Sequence, residues 1–538
     1  MNIALDEFGK PFVIMREQEK KRLKGLEAHK ANILAAKAVA ETLRSSLGPR
    51  GMDKIIVSAD GKVTVTNDGA TILEKMDVEH QCAKLLVELS KSQDEEIGDG
   101  TTGVVILAGA LLERALRLLD RGLHPLRIAD GYEKACEIAI KRLEDVANTQ
   151  DDASPKSEED FRKLYKHAAF TALGSKVVSS CQDHLAGIAV DAVLSVQDKD
   201  RKDVNLELIK IETKTGGRLE DTCLVEGIVL TKEFSHSQMP KTVKDARIAI
   251  LSCPFEPPKS KTKSRIEIST VEDYQKLQEC EKEYFENMVK RVVDSKANVV
   301  ICQWGFDDEA NHLLMKSGIS AVRWVGGAEL ELVAIATGGK IVGRFEDLDE
   351  SKLGHAGLVR EMASGTEHQE LIFIEQCKMT KSVTVLISGG NGVYVEETKR
   401  CIHDAICCVR NLIRDPRVLG GGGAPEIAAS IAVEASAATF TTLEQFAVEA
   451  FSEALLDIPM ALADNSGLNV FDMVAKATKE QRTNCHIGID CLNGTVGDLR
   501  SHGIFESLHS KVQQLSLATQ VVKMILKIDD VISPNELQ

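Results

Sequence analysis

The rhythm of hydrophobic and polar positions changes twice along this chain. From Ala28 to Leu47 helix formers run without Gly or Pro, which predicts a helix halted by Gly48-Pro49. Two short β-branched runs, Lys54 to Val57 and Val63 to Thr66, flank Asp60-Gly61 and predict a hairpin, with Thr66-Asn67-Asp68-Gly69 opening the next helix. Helical periodicity follows from Cys82 to Asp94 and from Pro125 to Asn148, the latter with Pro in its first turn. Between these two, the unbroken apolar run Val104 to Leu112 predicts a buried helix. Further helices are expected from Glu159 to Ala172 and from Val177 to Val196.

Beyond Gly216-Gly217 the rhythm changes. Short β-branched runs (Arg247 to Leu251, Asn298 to Cys302, Ala321 to Val325) alternate with helical ones, the pattern of an α/β domain inserted into a helical one. A strand from Ser382 to Ile387 and a helix from about Val395 to Arg410 lead back to a mostly helical end, Gly423 to Lys527. Helical flanks around a mixed middle imply nested, discontinuous domains, with one boundary in the polar stretch Asn148 to Asp152. At 538 residues the chain is too long for one core and suggests roughly three.

Charge and cysteine content narrow the function classes. The formal charge of −16 argues against a nucleic-acid surface. Thirteen cysteines, odd in number and without C-x-x-C pairs, fit reduced thiols better than a disulfide framework. Cys407-Cys408 and Cys485/Cys491 lack histidines at zinc-finger spacing. The acidic N-terminus has no apolar signal-peptide core, and the apolar run ends at Glu113, short of a membrane span. A soluble, cytoplasmic protein with no nucleic-acid or membrane partner is expected. One segment resists the globular pattern: Pro254-Phe255-Glu256-Pro257-Pro258, then Lys259, Lys261, Lys263 and Arg265, then a charged helix from Val271 to about Val293. It is either a solvated helix or an arm that orders against a partner.

Candidate chemistry centres on Glu96-Ile97-Gly98-Asp99-Gly100-Thr101-Thr102-Gly103, directly before the apolar helix. Glycines and hydroxyls at a helix N-terminus suit phosphate, and a carboxylate there offers oxygens to a hard cation. Leu47-Gly48-Pro49, Asn67-Asp68-Gly69 and the glycine run Gly420 to Gly423 offer the same materials. Each alone is as readily a turn; together they suit one Mg²⁺–nucleotide pocket. The G-x-x-x-x-G-K-[ST] loop is absent, and so is a strand–G-x-G-x-x-G–helix unit, which sets aside an ordinary P-loop kinase and a dinucleotide oxidoreductase.

The order of these motifs carries a resemblance. Leu-Gly-Pro-x-Gly-x-Asp-Lys from Leu47, Thr-Asn-Asp-Gly-Ala-Thr-Ile from Thr66, Gly-Asp-Gly-Thr-Thr from Gly98, Thr-x-Leu-x-Ser-Lys from Thr171 and the glycines near 421 together resemble the group II chaperonins over essentially the whole chain. The segments Asp6 to Phe12, Cys253 to Lys259, Cys302 to His312 and Ala321 to Gly327 are similar to one subunit type of the eukaryotic cytosolic chaperonin.

The resemblance implies a multidomain, GroEL-like architecture. An α-helical equatorial ATPase domain would take 1–149 and 408–538, a small α/β intermediate domain 150–218 and 376–407, and an α/β apical client-binding domain 219–375 with a helical protrusion at about 254–293. It implies ATP/ADP and Mg²⁺ as ligands. Leu47, Gly48 and Pro49 would lie against the phosphates, Asp99 would hold Mg²⁺, and Gly100, Thr101 and Thr102 would donate to phosphate oxygens. Asp68 and Asp404 would flank the attacking water, Lys176 would meet the γ-phosphate, and Gly422 and Glu506 would face the ribose and base, with Asn67, Gly69 and Gly421 completing the pocket. Implied partners are seven paralogous subunits in a double eight-membered ring and non-native clients such as actin and tubulin. A weakly catalytic ring subunit or a free-standing interaction module are the alternatives. Ser388 and Ser507 stand where the family usually has Arg and Pro.

Overall fold

The computed structural model describes residues 3–5, 11–13, 24–58, 61–148, 157–198, 200–256, 268, 270–364, 369–378, 381–440 and 443–530. The turn residue Asp60, the boundary 149–152 and the basic run Lys259 to Arg265 lie outside them. So do most residues of the N-terminal stretch.

The chain begins with a small antiparallel pair, β1 (Ile3–Leu5) and β2 (Pro11–Val13), then α1 (Leu26–Arg44). α1 stops three residues before the position expected, because Ser45-Ser46 fold the chain over: Ser46 N–H donates to Leu43 O (2.9 Å) and Met52 N–H to Ser45 O (2.9 Å). The hairpin β3 (Lys54–Val57) and β4 (Val63–Thr66) occupies the residues predicted for it, paired antiparallel. Four helices follow: α2 (Gly69–Lys75), α3 (Gln81–Glu96), α4 (Thr101–Asp120) and α5 (Pro125–Asn148). All nine residues from Val104 to Leu112 are buried in α4, the axis of the largest core.

The chain then builds a second, smaller unit. α6 (Glu158–Leu173) and α7 (Gln182–Val196) pack with a sheet strand β5 (Ile209–Thr215) and a short β6 (Cys223–Val225). The helix expected to start at Val177 opens instead as a 3-10 turn, Val177–Cys181, since Ser179-Ser180 favour turns over a helix interior.

A third unit holds a seven-stranded sheet. Its strands are β7 (Gly227–Leu230), β8 (Thr242–Leu251), β9 (Val299–Cys302), β10 (Ser320–Val322), β11 (Ile341–Val342), β12 (Gly354–Ser364) and β13 (Gln369–Cys377), in the order β10-β9-β8-β12-β13-β7 with β11 beside β8. α8 (Val271–Asp294), α9 (Asp308–Lys316) and α10 (Gly327–Thr337) accompany it, and the unit has its own core. α8 is buried only in its second half. Phe285, Met288, Val289 and Val292 are buried, whereas Val271, Tyr274 and Leu277 of its first half are 75%, 52% and 43% exposed.

The return path completes both lower units. β14 (Val383–Gly389) pairs between β5 and β6, every residue of it buried. The Ser388 N–H donates to Thr222 Oγ1 (3.3 Å). α11 (Gly392–Arg414) packs on α6 and α7 in the same core. The rest of the chain, β15 (Val418–Gly420), α12 (Ala424–Ala437), α13 (Glu444–Leu455), α14 (Asp457–Asn465), α15 (Val470–Gln481), β16 (Ile487–Asp490), β17 (Thr495–Asp498), β18 (Phe505–Ser507) and α16 (Leu508–Leu526), joins α1–α5. Residues from the two ends of the chain thus share one core, and α11 stands where that helical unit meets the small α/β one. Among the described residues no helix is long and apolar enough to cross a membrane.

Candidate functional site

Two helix N-termini meet at the junction. At the first, Gly100 caps α4 with φ 78°, a left-handed conformation open to glycine. Its N–H donates to Asp99 Oδ1 (2.7 Å). Gln93 Nε2 holds Asp99 O (2.9 Å) and Gln514 Nε2 holds Gly100 O (3.1 Å), so helices on both sides fix the loop. The first N–H groups of α4 have no intrahelical acceptor and carry the positive end of a 20-residue helix dipole.

At the second N-terminus Asp68 caps α2. Its carboxylate accepts from the N–H of Ala70 (3.3 Å) and Thr71 (2.9 Å) and from the hydroxyls of Thr71 (2.7 Å) and Thr101 (2.9 Å). The Thr101 bond ties the two N-termini together. They can touch because residue 69 is glycine: a Cβ there would lie 2.8 Å from Thr102 N and 2.9 Å from its Cα.

The small α/β unit brings the cation. Lys176 precedes the 3-10 turn, and its ammonium pairs with Asp404 of α11, both side chains nearly buried. Asn67 Nδ2 donates to Ser175 O (3.0 Å), Arg410 Nη2 to Glu96 O (2.7 Å) and Asn411 Nδ2 to Ile97 O (2.9 Å), which dock the units on both sides of the pair. Burial pushes the Asp404 carboxyl well above the usual range; Lys176 opposes this and Asp68 adds to it. Burial alone would depress Lys176, yet Asp404, Cys401 and Asp68 hold it well above an ordinary lysine. Burial likewise pushes Asp68 up, but Lys176 and the donors of Thr71 and Thr101 outweigh it and hold its carboxyl low. The arrangement keeps a charged ammonium between two carboxylates.

The remaining sequence candidates lie in three further places. Leu47, Gly48 and Pro49 form the link from α1 to β3, where Asn465 Nδ2 grips Leu47 O (2.8 Å). Gly421 and Gly422 lie between β15 and α12, with Gly422 O accepting from Ile489 N–H (2.9 Å). Glu506, on β18, is 2.7 Å from Lys511 Nζ, which also reaches Glu426 Oε1 at 2.6 Å. Its carboxyl is pushed up by burial, against the pull of Lys511, with Glu426 and Asp99 adding to the rise. Glu506 therefore feels the Asp99 charge while engaged in a buried ion triad that sequence reading did not foresee. The adjoining Ser507 is the N-cap residue of α16 and makes no side-chain cap hydrogen bond there.

Asp94 also went unseen in the sequence. Burial first, then the Asp68 charge, pushes its carboxyl to about 6, with Lys176 opposing. The available signal was its place five residues before Asp99 on the last turn of α3.

Among the described residues no cluster of three or more His, Cys, Asp or Glu is arranged to hold a metal by itself. That suits Mg²⁺, which takes one or two carboxylates and completes its octahedron with phosphate oxygens and water. Asp99, with one oxygen spent on Gly100 N–H, is the carboxylate at the α4 N-terminus.

Residues 39–536 match the family described as TCP-1/cpn60 chaperonin family. The chain belongs to that chaperonin family. It is 48% identical over 537 residues to T-complex protein 1 subunit epsilon of Encephalitozoon cuniculi (strain GB-M1), covering 99% of each chain. A thermosome subunit of Methanopyrus kandleri is 43% identical over 528 residues, 98% of this chain and 95% of the relative. Thermosome subunit alpha of Archaeoglobus fulgidus is 42% identical over 535 residues, 98% and 96% respectively. The segments set apart in the sequence, Cys302 to His312 among them, are those read as the epsilon type, and the epsilon relative shares more identity than either thermosome chain. The helical and α/β content of the structure is that of a chaperonin of group II.

Proposed function

We propose that this chaperonin chain is an ATP-hydrolysing subunit of a cytosolic, hetero-oligomeric double ring. In this reading α1–α5 with α12–α16 form the equatorial domain. The small unit of α6, α7, β5, β6, β14 and α11 is the intermediate domain, and the seven-stranded unit is the apical domain, α8 being the described part of its protrusion. Seven paralogous subunits would complete each ring, and clients such as actin and tubulin would be enclosed beneath the lid.

One observation carries the reading: the two helix N-termini with Asp68, Asp99 and Thr101 come from one unit, and Lys176 and Asp404 come from another. The triphosphate would lie across the N-termini of α4 and α2, against Gly48-Pro49, with its ribose towards Gly421, Gly422 and Glu506. Mg²⁺ at Asp99 would neutralise developing phosphate charge. Lys176 would turn from Asp404 to the γ-phosphate, and the freed Asp404 carboxylate, with Asp68, would orient the attacking water. Hydrolysis then needs a positioned water and electrostatic stabilisation rather than a protein nucleophile. Closure of the intermediate domain would complete the site, which links turnover to lid movement.

In a reconstituted ring with every site mutated, Asp404→Ala is expected to bind ATP as the wild type does and to lose turnover. Unchanged hydrolysis would remove Asp404 from its role. The native complex in cells is expected at roughly 0.9 MDa, for two rings of eight such chains. A monomer alone would instead favour a free-standing interaction protein.

A further inference from the structure

Glu397 is a carboxylate on α11 with 3% of its surface exposed, and no part in the chemistry above. A charge taken that far from water needs partners. It has two. Its own neighbour Arg400 donates from Nε (2.9 Å) and Nη2 (2.7 Å) to Oε2. The second partner comes from the other unit: the hydroxyl of Thr66, itself fully buried at the end of β4, donates to Glu397 Oε1 (3.1 Å).

The Thr66 hydroxyl also accepts the backbone N–H of Asp68 (3.1 Å). Hydrogen bonds therefore run without a break from Arg400 through Glu397 and Thr66 to the amide of Asp68, whose carboxylate caps α2 and grips Thr101. Glu397 and Asp404 lie seven residues apart, two turns of the same helix. A movement of α11 relative to the hairpin would break the Thr66 bond and carry Asp404 away together.

We infer that Glu397 and Thr66 form a docking latch that sets Asp68 and Asp404 in register, with Glu397 as a positioning residue for ATP hydrolysis. This rests on the ATPase reading above. Neither residue is within the set facing the nucleotide, so the latch acts on turnover and not on nucleotide affinity. Thr66 supplies a hydroxyl that both donates and accepts, a task serine can perform and valine, of the same shape, cannot.

The test is steady-state hydrolysis of Mg²⁺-ATP by the assembled ring carrying Thr66→Val, Thr66→Ser, Glu397→Ala or Thr66→Val with Glu397→Ala. Each of Thr66→Val and Glu397→Ala is expected to lower kcat about 10- to 100-fold while KM stays within about twofold. The double variant is expected to fall no further than the worse single one, and Thr66→Ser to keep kcat within about threefold of wild type. Hydrogen exchange on the full chain gives a second reading that requires no turnover. The Asp68 amide is expected to lose protection in Glu397→Ala while α4 amides keep theirs. An unchanged kcat in Thr66→Val, a loss confined to KM, an equal loss in Thr66→Ser, or an Asp68 amide indifferent to Glu397→Ala would each overturn the latch and leave the ATPase reading standing. A wild-type ring that binds no ATP would overturn both.

Discussion

The Lys176–Asp404 pair gives the sharpest quantitative expectation. Their side chains are 10% and 15% exposed, so neither charge can be rescued by water if its partner is removed. Two unit charges about 4 Å apart at an effective dielectric of about 20 attract by about 4 kcal/mol, and breaking a buried pair from one side costs about 3–5 kcal/mol. Lys176→Met is therefore expected to destabilise this unit by about 3 kcal/mol at neutral pH, because it strands Asp404 beside Asp68. Asp404→Leu leaves Lys176 facing Asp68, which already favours its charge. Its cost is expected to be smaller, about 1–2 kcal/mol, and the double variant to lie within about 1 kcal/mol of wild type. The pH sign follows from Asp404. Its folded pKa is raised, and losing Lys176 raises it further. The folded state then binds a proton that the unfolded chain releases near pH 4, so the stability of Lys176→Met falls as pH rises from there through the folded pKa. The deficit should be small near pH 4 and grow as pH rises above it. Because unfolding of so large a chain is not two-state, the measurement is native-state hydrogen exchange of the α11 amides, which reports local opening. A coupling below about 0.5 kcal/mol, or a deficit that grows on acidification, would refute the buried-pair reasoning.

Other substitutions test separate parts of the site and its support. Gly69→Ala places a Cβ 2.8 Å from Thr102 N and is expected to cost about 1–3 kcal/mol of overpacking, with Mg²⁺-ATP affinity by calorimetry falling tenfold or more. Gly187→Ala, on α7 with nothing within 4 Å, is the control and is expected to stabilise by about 0.5–1 kcal/mol. Tyr132→Phe removes the hydroxyl that donates to Leu111 O at 3.0 Å in a fully buried site, and native-state hydrogen exchange of the α4 and α5 amides should register a loss of about 1–2 kcal/mol. Asp94 has a folded pKa raised to about 6, so its ionisation weakens the folded state as pH rises from about 4 to 6. Asp94→Asn should therefore gain in protection of the α3 amides over wild type across that window, read by native-state hydrogen exchange, and an advantage that shrinks as pH rises would contradict the burial of that carboxylate.

Much of the local structure was legible because it is written in local signals. The hairpin of β3 and β4 matches its β-branched runs, α5 begins at the proline that marks it, and the apolar run after Thr102 is the core of α4. The glycine motifs marked helix N-termini for the same reason: a left-handed cap at Gly100 and a close approach at Gly69 demand that residue. What stayed hidden is non-local. Thr66 reads as the last residue of a hairpin strand and Glu397 as one more helix carboxylate. Only contact across 331 residues joins them. Lys176 and Asp404 are 228 residues apart; the resemblance implied each as a site residue, but not their pairing. Asp94 is silent in sequence because its perturbation comes first from burial and then from Asp68, brought near by the packing of α2 on α3. Glu506 was implied by the resemblance, but its ion triad with Lys511 and Glu426 depends on β18, α16 and α12 converging.

The charge balance at the junction bears on why the site is split between two units. Docking gathers Asp68, Asp94, Asp99 and Asp404, whose mutual influence is felt in the raised carboxyls of Asp94 and Asp404. Among the described residues, Lys176 is the one ammonium or guanidinium paired with any of them. Lys176 and Asp404 belong to the same small unit, so their pair survives if that unit swings away. The repulsion between Asp404 and Asp68 does not, since the two sit on opposite sides of the junction. Docking thus costs electrostatic energy that contacts elsewhere must offset: Asn67 to Ser175 O, Arg410 and Asn411 to the Glu96–Ile97 carbonyls, and Thr66 to Glu397. A divalent cation held at Asp99 together with the nucleotide's phosphates would offset part of this repulsion and shift the balance towards docking. On these charges the docked arrangement should be stabilised by Mg²⁺ and loosened by chelation, with the Thr66–Glu397 hydrogen bond among the first contacts to open.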